Sequence, residues 1–376
     1  MLSQPPVWFI LVAFLAALGP LVFIHEFGHY LVARWFGVGA ESFSIGFGHE
    51  IAGWTDKRAT RWKVGWLPLG GYVKFVGDMN PVSMPGDGEA LSPQERKRSF
   101  HHRPIWQRFL IVLAGPLANF LLAIFIFAAF YTAYGKPETP AVVGSVRTGS
   151  AAEQAGLREG DRIISVAGQQ TAYFQDIQRV ASIRPHGQVE IRFERGGKVG
   201  DVRATLGVEE RADEFGQKYM VGLLGIYPPA IVYQRLSPID AVPAATLATF
   251  NVTRMIVDIT GQIITGNRSA KELGGPLRMA QIAGQRASLG WFDFVYLLAM
   301  FSINLGFINL LPVPMLDGGH LALYTIEAVQ RRPVSLRAQE WAFRGGLAFI
   351  LALLLFTTFN DLGSFGLWER VGRLIG

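Results

Sequence analysis

Residues 7–35 read VWFILVAFLAALGPLVFIHEFGHYLVARW. The first 18 of them carry no charge, and about 20 apolar residues at a rise of about 1.5 Å each are enough to cross the hydrocarbon core of a bilayer. The run therefore predicts a membrane-spanning helix. Near its end the apolar pattern is interrupted by a polar cluster, His25-Glu26-Phe27-Gly28-His29.

This cluster has the spacing H-E-x-x-H. On a helix, residues four apart share one face, so His25 and His29 can bind one metal ion. The intervening Glu26 can then take a proton from a water at that ion. Ionisable groups inside a spanning helix are costly, which favours a functional role over packing.

A catalytic zinc has three protein ligands and one open position. We predict that Asp317, in the stretch 309–320 (NLLPVPMLDGGH), is the third ligand because it lies at the end of another apolar run, 294–316. The prolines before it free backbone groups and let the chain bend. His320 is either a neighbour that supports the ligands or a residue of the membrane interface. The remaining histidines lack a comparable setting; they are His49, His101, His102 and His186.

Three further apolar runs predict spanning helices, and a fifth run, at 241–264, does not. Arg254 and Asp258 interrupt that fifth run, so we interpret it as an amphipathic helix in the membrane interface. The three predicted spans are 109–130, 294–316 and 345–360.

Composition supports a membrane protein with one soluble part. Of the 376 residues, 50% are hydrophobic and only 17% are charged, and the net charge is +6. An intrinsically disordered chain would not be this apolar. Because cysteine is absent, disulfide scaffolds and thiolate zinc sites are excluded, and a zinc site must use histidine and carboxylate.

The basic residues predict the orientation of the spans. No Lys or Arg precedes residue 7, whereas nine lie between residues 57 and 103 and more follow at Arg331, Arg332 and Arg337. Since Lys and Arg are enriched in cytoplasmic loops, these two loops are predicted to be cytoplasmic, with both termini and the 135–290 insert outside. The positive charge is explained in this way, and we expect no nucleic-acid partner.

Five stretches together resemble the site-2 protease family of intramembrane zinc metalloproteases. They are HEFGH at 25–29 and NLLPVPMLDG at 309–318, and then three that resemble its bacterial regulator-of-sigma-E protease branch: GWLPLGGYVKF at 65–75, GPLANF at 115–120 and GLREGDRII at 156–164.

The resemblance implies a zinc ion, Zn2+, held by His25, His29 and Asp317, with Glu26 as general base. It also implies that Asn309 helps to position the substrate backbone or the transition state. The implied substrate is a single-span protein of the bacterial inner membrane, already trimmed outside the bilayer, such as an anti-sigma factor. The active site would lie near the cytoplasmic face, with both termini periplasmic.

The insert at about 140–226 has the alternation and turns of one PDZ-like α+β domain. Strands are predicted at 141–146, 163–166, 189–193 and 199–206, with a short helix at 150–155. The segment 221–226 is either a strand lining a peptide groove or an ordinary core strand. The domain would then either bind a peptide ligand by strand addition or exclude bulky substrates.

Residues 41–77 alternate apolar and polar positions and predict a small β element that dips toward the lipid bilayer. It would either add an unwound substrate as an extra strand or be purely structural.

The predicted fold is a polytopic α-helical membrane protein with four transmembrane helices, this β element and one external PDZ-like domain. The first alternative to a protease is a non-proteolytic membrane scaffold that binds peptides, which would need no buried ionisable groups. The second is a metal transporter, which would need polar residues along several helices.

The predicted organisation is helix 1 at 1–36, a cytoplasmic loop at 37–105, helix 2 at 106–134, the PDZ-like domain at 135–228, amphipathic helices at 229–290, helix 3 at 291–317, a cytoplasmic loop at 318–340, and helix 4 with a C-terminal tail at 341–376.

Overall fold

The computed structural model describes residues 5–77, 92–212, 218–266, 269–270 and 273–364. The predicted C-terminal tail beyond residue 364 lies outside these ranges. The chain divides into two compact units, of which the first holds Met1–Phe127, Val242–Ile263 and Ser269–Gly376. The second unit holds Ala128–Ala241 and Ile264–Arg268.

Helices dominate the first unit and strands the second. In the described ranges the helices are α1 (Val7–Trp35), α2 (Pro93–Arg98), α3 (Ile105–Ala133), α4 (Ala151–Gln154), α5 (Phe174–Ser182), α6 (Pro238–Ile264), α7 (Pro276–Leu289), α8 (Trp291–Leu310), α9 (Asp317–Gln330) and α10 (Leu336–Ser364). The strands are β1 (Ala40–Thr55), β2 (Arg61–Phe75), β3 (Lys136–Glu138), β4 (Ser145–Val146), β5 (Arg162–Val166), β6 (Gln169–Gln170), β7 (Gln188–Arg195), β8 (Lys198–Thr205), β9 (Gly207–Ala212), β10 (Lys218–Leu223), β11 (Ile226–Tyr227) and β12 (Val232–Gln234).

Four of the described helices, α1, α3, α8 and α10, are long and apolar enough to cross a membrane. They coincide with the four predicted spans, so the polytopic helical fold is confirmed. Helix α6, which covers the fifth run, is not among the four.

The third span ends earlier than the sequence indicated. The run 294–316 was expected to continue to Leu316, but α8 ends at Leu310 and Leu311 is already extended, with ψ 140°. A residue before proline is pushed out of the helical region, and Pro312 lacks the N–H that would continue the ladder. The chain becomes helical again at Asp317. The 14-residue helix α9 therefore occupies the first part of the region 318–340, for which the sequence predicts a loop.

Strands β1 and β2 form an antiparallel hairpin, as the alternating pattern predicted, although both strands are longer than expected. Phe43 lies opposite Val73 and also opposite Trp62, so β2 runs along both sides of the first half of β1. Gly71 packs against α1, since an added Cβ would lie 2.7 Å from Val22 Cγ1 and 3.0 Å from Glu26 Cγ. The hairpin thus lies directly against the polar cluster.

One apolar cluster joins the hairpin to the helices around it and fixes α9 near α1. Its side chains are almost fully buried, and burying each large apolar side chain contributes about 1.5–3 kcal/mol. Members from α1, β1, β2, α3 and α9 include Tyr30, Phe43, Val73, Ile111 and Leu321.

The second unit contains a four-stranded sheet in the order β6-β5-β7-β8, covered by α4 and α5. The predicted strands at 163–166, 189–193 and 199–206 correspond to β5, β7 and β8, and α4 lies within the predicted helix at 150–155. Of the strand predicted at 141–146 only Ser145–Val146 forms a strand, β4, which pairs with β11 outside this sheet. The sequence reasoning missed α5, a nine-residue helix that buries Phe174, Ile177 and Val180. This arrangement is the PDZ-like domain of the predicted fold.

Asp161, just before β5, is a buried carboxylate that pairs with the partly exposed Arg195. Its carboxylate accepts hydrogen bonds from Arg195 Nε at 2.6 Å, Arg195 Nη2 at 2.7 Å and the Arg158 backbone N–H at 2.7 Å. Burial by itself would raise the pKa of Asp161, but the Arg195 and Arg158 hydrogen bonds hold that pKa below its ordinary value. Because the folded pKa is lowered, the pair stabilises the domain fully above the unfolded pKa of about 4.

We therefore expect Asp161→Asn to destabilise the PDZ-like domain by about 1–3 kcal/mol at neutral pH, the cost of leaving a buried group unpaired. The deficit should shrink as the pH falls below about 4. Hydrogen exchange of the β5 and β7 amides in the full-length protein measures it. Asp201→Asn, which removes an exposed ion pair with Arg192, is the matched control and should change little. A deficit independent of pH would contradict the assignment.

Candidate metal centre

Two helices bring together three side chains that could hold a metal ion. His25 and His29 lie one turn apart on α1, and Asp317 is the first residue of α9. The two Nε2 atoms are 3.4 Å apart. Asp317 Oδ2 is 3.2 Å from His25 Nε2 and 3.4 Å from His29 Nε2. The sequence-predicted ligands are thus brought together.

The spacing of these donors suits zinc. Ligands at about 2.0–2.1 Å from a tetrahedral ion stand about 3.3–3.4 Å from one another, which matches the observed 3.2–3.4 Å. Asp317 Oδ2 is buried and has no hydrogen-bond donor among the described residues, an arrangement that is costly unless a cation compensates it. Two imidazoles and one carboxylate also leave a fourth position open for chemistry.

The turn before α9 directs Asp317 toward α1. Met315 adopts a left-handed backbone with φ 85°, which is strained for a non-glycine residue. Because Asp317 stands in the first turn of α9, the partial positive charge of the helix N-terminus also favours its ionised form. The strained turn and the prolines before it thus hold the Asp317 carboxylate next to the two histidines.

The tautomer of His29 is fixed by the backbone of α3. Its Nδ1 lies 2.9 Å from the carbonyl oxygen of Ile111. A carbonyl oxygen can only accept, so Nδ1 carries the hydrogen and donates it. The lone pair is then on Nε2, which faces the other two candidate ligand atoms, Nε2 of His25 and Oδ2 of Asp317.

Gly115 of α3 provides the space for the His29 ring. A Cβ at residue 115 would overlap Nε2 and Cε1 of His29. Small residues such as Gly115 and Ala118 allow two helices to approach closely. In this structure the close contact is with Nε2 of His29, a candidate metal ligand.

We therefore expect Gly115→Ala to turn His29 away from the site and to lower zinc affinity by about 100-fold or more, since even altered support of a ligand costs 10–100-fold. Zinc per chain, measured by mass spectrometry after gel filtration against a weak chelator, tests this. Gly345→Ala is the control, because a Cβ there meets nothing within 4 Å. Equal zinc content in the two variants would contradict the steric argument.

The three candidate ligands line a cavity with a volume of about 580 Å³. Glu26, next to His25 in the sequence, is buried and lines the same cavity. It lies within electrostatic reach of both histidines and of Asp317. Asn309 and His320 also line this cavity. Among the described residues the other four histidines do not line it; His49, His101 and His102 lie elsewhere in the first unit and His186 belongs to the second unit.

The sequence analysis missed one further polar residue beside the candidate ligands, Asn119. Asn119 of α3 is fully buried, and its side-chain nitrogen lies 3.1 Å from Nδ1 of His25. The signal was present, because Asn119 stands four residues after Gly115, on the same helical face, in a run without charges.

The sequence also matches a known family over most of its length. The profile of the family described as Peptidase family M50 matches residues 13–353. The chain belongs to peptidase family M50. It is therefore a zinc metalloprotease, and the predicted enzyme class and cofactor are confirmed.

Curated relatives agree with this membership. A protein of Agrobacterium fabrum whose name assigns it to the zinc metalloproteases is 42% identical, covering 94% of this chain and 96% of its own. A similarly named protein of Mesorhizobium japonicum is 43% identical over 94% and 98%. Metalloprotease MmpA of Caulobacter vibrioides is 37% identical over 97% and 98%.

A solved structure gives a weaker likeness to part of the chain. It is the PDZ domain of an SdrC-like protein from Listeria monocytogenes, which is 21% identical with a TM-score of 0.18. The match covers 25% of this chain and 88% of that domain.

Proposed function

We propose that this zinc metalloprotease hydrolyses a peptide bond within or next to the transmembrane segment of a single-span membrane protein. The observation that carries the proposal is the position of the site. His25, Glu26 and His29 lie inside α1, a 29-residue helix apolar enough to span the bilayer. At a rise of about 1.5 Å per residue, His25 lies about 27 Å along α1, near the far side of a core of about 30 Å.

In this proposal His25, His29 and Asp317 hold the zinc ion. When bound, zinc supplies a Lewis acid that polarises the scissile carbonyl and lowers the pKa of a water. Glu26 is placed to take a proton from the attacking water and to return it to the leaving amine. Its burial beside Gly71 of the hairpin keeps the carboxylate directed into the cavity.

The substrate must present an extended backbone, because a spanning helix hides its carbonyls in hydrogen bonds. Residues 70–73 of β2 line the cavity, which supports strand addition by an unwound substrate segment. Asn309 of α8 lines the same cavity, which supports a contact with that backbone. Substrates with helix-weakening residues near the cleavage site should therefore be preferred.

The biological setting of the proposal is the bacterial inner membrane. The basic loops support an orientation with the active site toward the cytoplasm and with the PDZ-like domain and both termini periplasmic. The resemblance to the regulator-of-sigma-E branch supports a pre-trimmed anti-sigma factor as substrate in regulated intramembrane proteolysis. The PDZ-like domain would act there by capturing a peptide or by excluding bulky ectodomains.

The test is a cleavage assay in liposomes. Wild-type enzyme is reconstituted with two single-span substrates that differ only in their spanning helix, one uniformly Leu-rich and one with a central Gly-Pro pair. We expect chelator-sensitive cleavage of the second, at a bond that mass spectrometry places within or beside the spanning segment. Cleavage restricted to bonds far outside the membrane would contradict the proposal.

A further inference from the structure

We propose that Asn119 is a positioning residue that fixes the tautomer of His25 and so presents its Nε2 to zinc. The proposal rests on the zinc site proposed above. The side chain of Asn119 is fully buried in a spanning helix. A buried amide there is costly unless it is hydrogen-bonded, and a partner within hydrogen-bond distance is Nδ1 of His25, at 3.1 Å from Nδ2.

The orientation of the amide decides what this contact does. In the structure Nδ2 faces His25, and Oδ1 is buried without a hydrogen-bond partner in the part of the chain that the structure describes. If Nδ2–H donated to Nδ1, the ring hydrogen would sit on Nε2, in the centre of the three-donor cluster, and His25 could not bind a cation. Since the two ends of an amide have nearly the same shape, rotating it by 180° exchanges them.

In the rotated orientation Oδ1 accepts the Nδ1–H of His25, and the lone pair is on Nε2. This is the arrangement that His29 has with the Ile111 carbonyl. The two metal-binding histidines would then be held in the same tautomer by two groups on one helix, α3. One group is backbone and cannot be substituted, whereas the other is the side chain of Asn119.

The backbone at Asn119 is itself held in place. Ser302 of α8 donates its hydroxyl hydrogen to the Asn119 carbonyl oxygen at 2.7 Å. Both residues are fully buried, so the acceptor for His25 is anchored to the helix that precedes the Asp317 turn. A rigidly held acceptor restricts both the tautomer and the rotation of the imidazole ring.

The test compares zinc affinity in Asn119→Leu and Asn119→Asp by competition with a chromophoric chelator. Leu keeps the volume and removes the acceptor, so we expect zinc binding about 10–100-fold weaker than in wild type. Asp keeps an acceptor and cannot donate when ionised, so we expect wild-type or tighter affinity. If the amide acts instead as a donor, Asp will bind zinc as weakly as Leu, which would overturn the proposal.

Three controls separate this inference from folding and from the zinc site itself. Melting temperature checks that each variant is folded, and the Asp variant keeps the test decisive if the Leu variant is not. His25→Ala must weaken zinc binding; unchanged affinity there would refute the proposed zinc site rather than the role of Asn119. The double variant His25→Ala with Asn119→Asp should remain zinc-poor, since restored binding would mean that the carboxylate binds zinc directly and would overturn the positioning role.

Discussion

Replacing Glu26 with Gln is expected to abolish peptide-bond hydrolysis while leaving one zinc ion per chain. Glu26 is not one of the three converging donors, His25, His29 and Asp317, so the ion should be retained. Gln has almost the same shape but cannot accept the proton of the attacking water. Loss of general acid–base catalysis costs about 10²–10⁴-fold, which would make cleavage undetectable in an ordinary assay.

The measurement pairs zinc content with single-turnover cleavage of a single-span substrate in the same liposomes. Glu327→Gln is a suitable control, since Glu327 is also a buried carboxylate but forms an ion pair with Arg108 on α3. It should reduce stability more than activity per folded molecule. A Glu26→Gln enzyme with substantial turnover would refute the general-base assignment.

Asp317→Asn should empty the site. The amide oxygen is a weaker zinc ligand and removes the negative charge that offsets the ion. We expect zinc affinity to fall by about 100-fold or more, and cleavage to be restored in part by added zinc. This separates the variant from Glu26→Gln, in which zinc content is normal and added zinc has no effect.

The Asp317 experiment uses chelator competition, with Asp293→Asn as its control. Asp293 stands at the start of α8, outside the cavity, in an exposed pair with Arg286. Its replacement should leave both zinc affinity and cleavage at wild-type values. If Asp317→Asn also keeps stoichiometric zinc under competition, Asp317 is not a ligand.

The spanning helices and the two-histidine pair could be predicted because both depend on local sequence. An uncharged run of about 20 residues indicates a span, and i, i+4 spacing places His25 and His29 on one face. Asp317 was found by its depth at the end of another apolar run. The turn that brings it to the histidines depends on the strained Met315, which no pattern in the sequence signals.

The support around the ligands could not be derived in the same way. The contacts of His25 with Asn119 and of His29 with Ile111 and Gly115 join α1 to α3, across more than 80 residues of sequence. They depend on the rotation of one helix against another, which periodicity does not specify. Helix α5 was missed for a different reason, because nine residues give too short a window for a reliable helical period.

Zinc K-edge X-ray absorption of the purified wild-type enzyme in lipid identifies the ligands of the proposed zinc site. We expect one zinc ion per chain, bound by two imidazole nitrogens and one carboxylate oxygen at about 2.0–2.1 Å and by a fourth ligand that is an oxygen or nitrogen atom. His25→Ala should reduce the imidazole count or the zinc content. A shell of three or more imidazoles, or an octahedral shell of oxygens alone, would contradict a zinc site built from His25, His29 and Asp317.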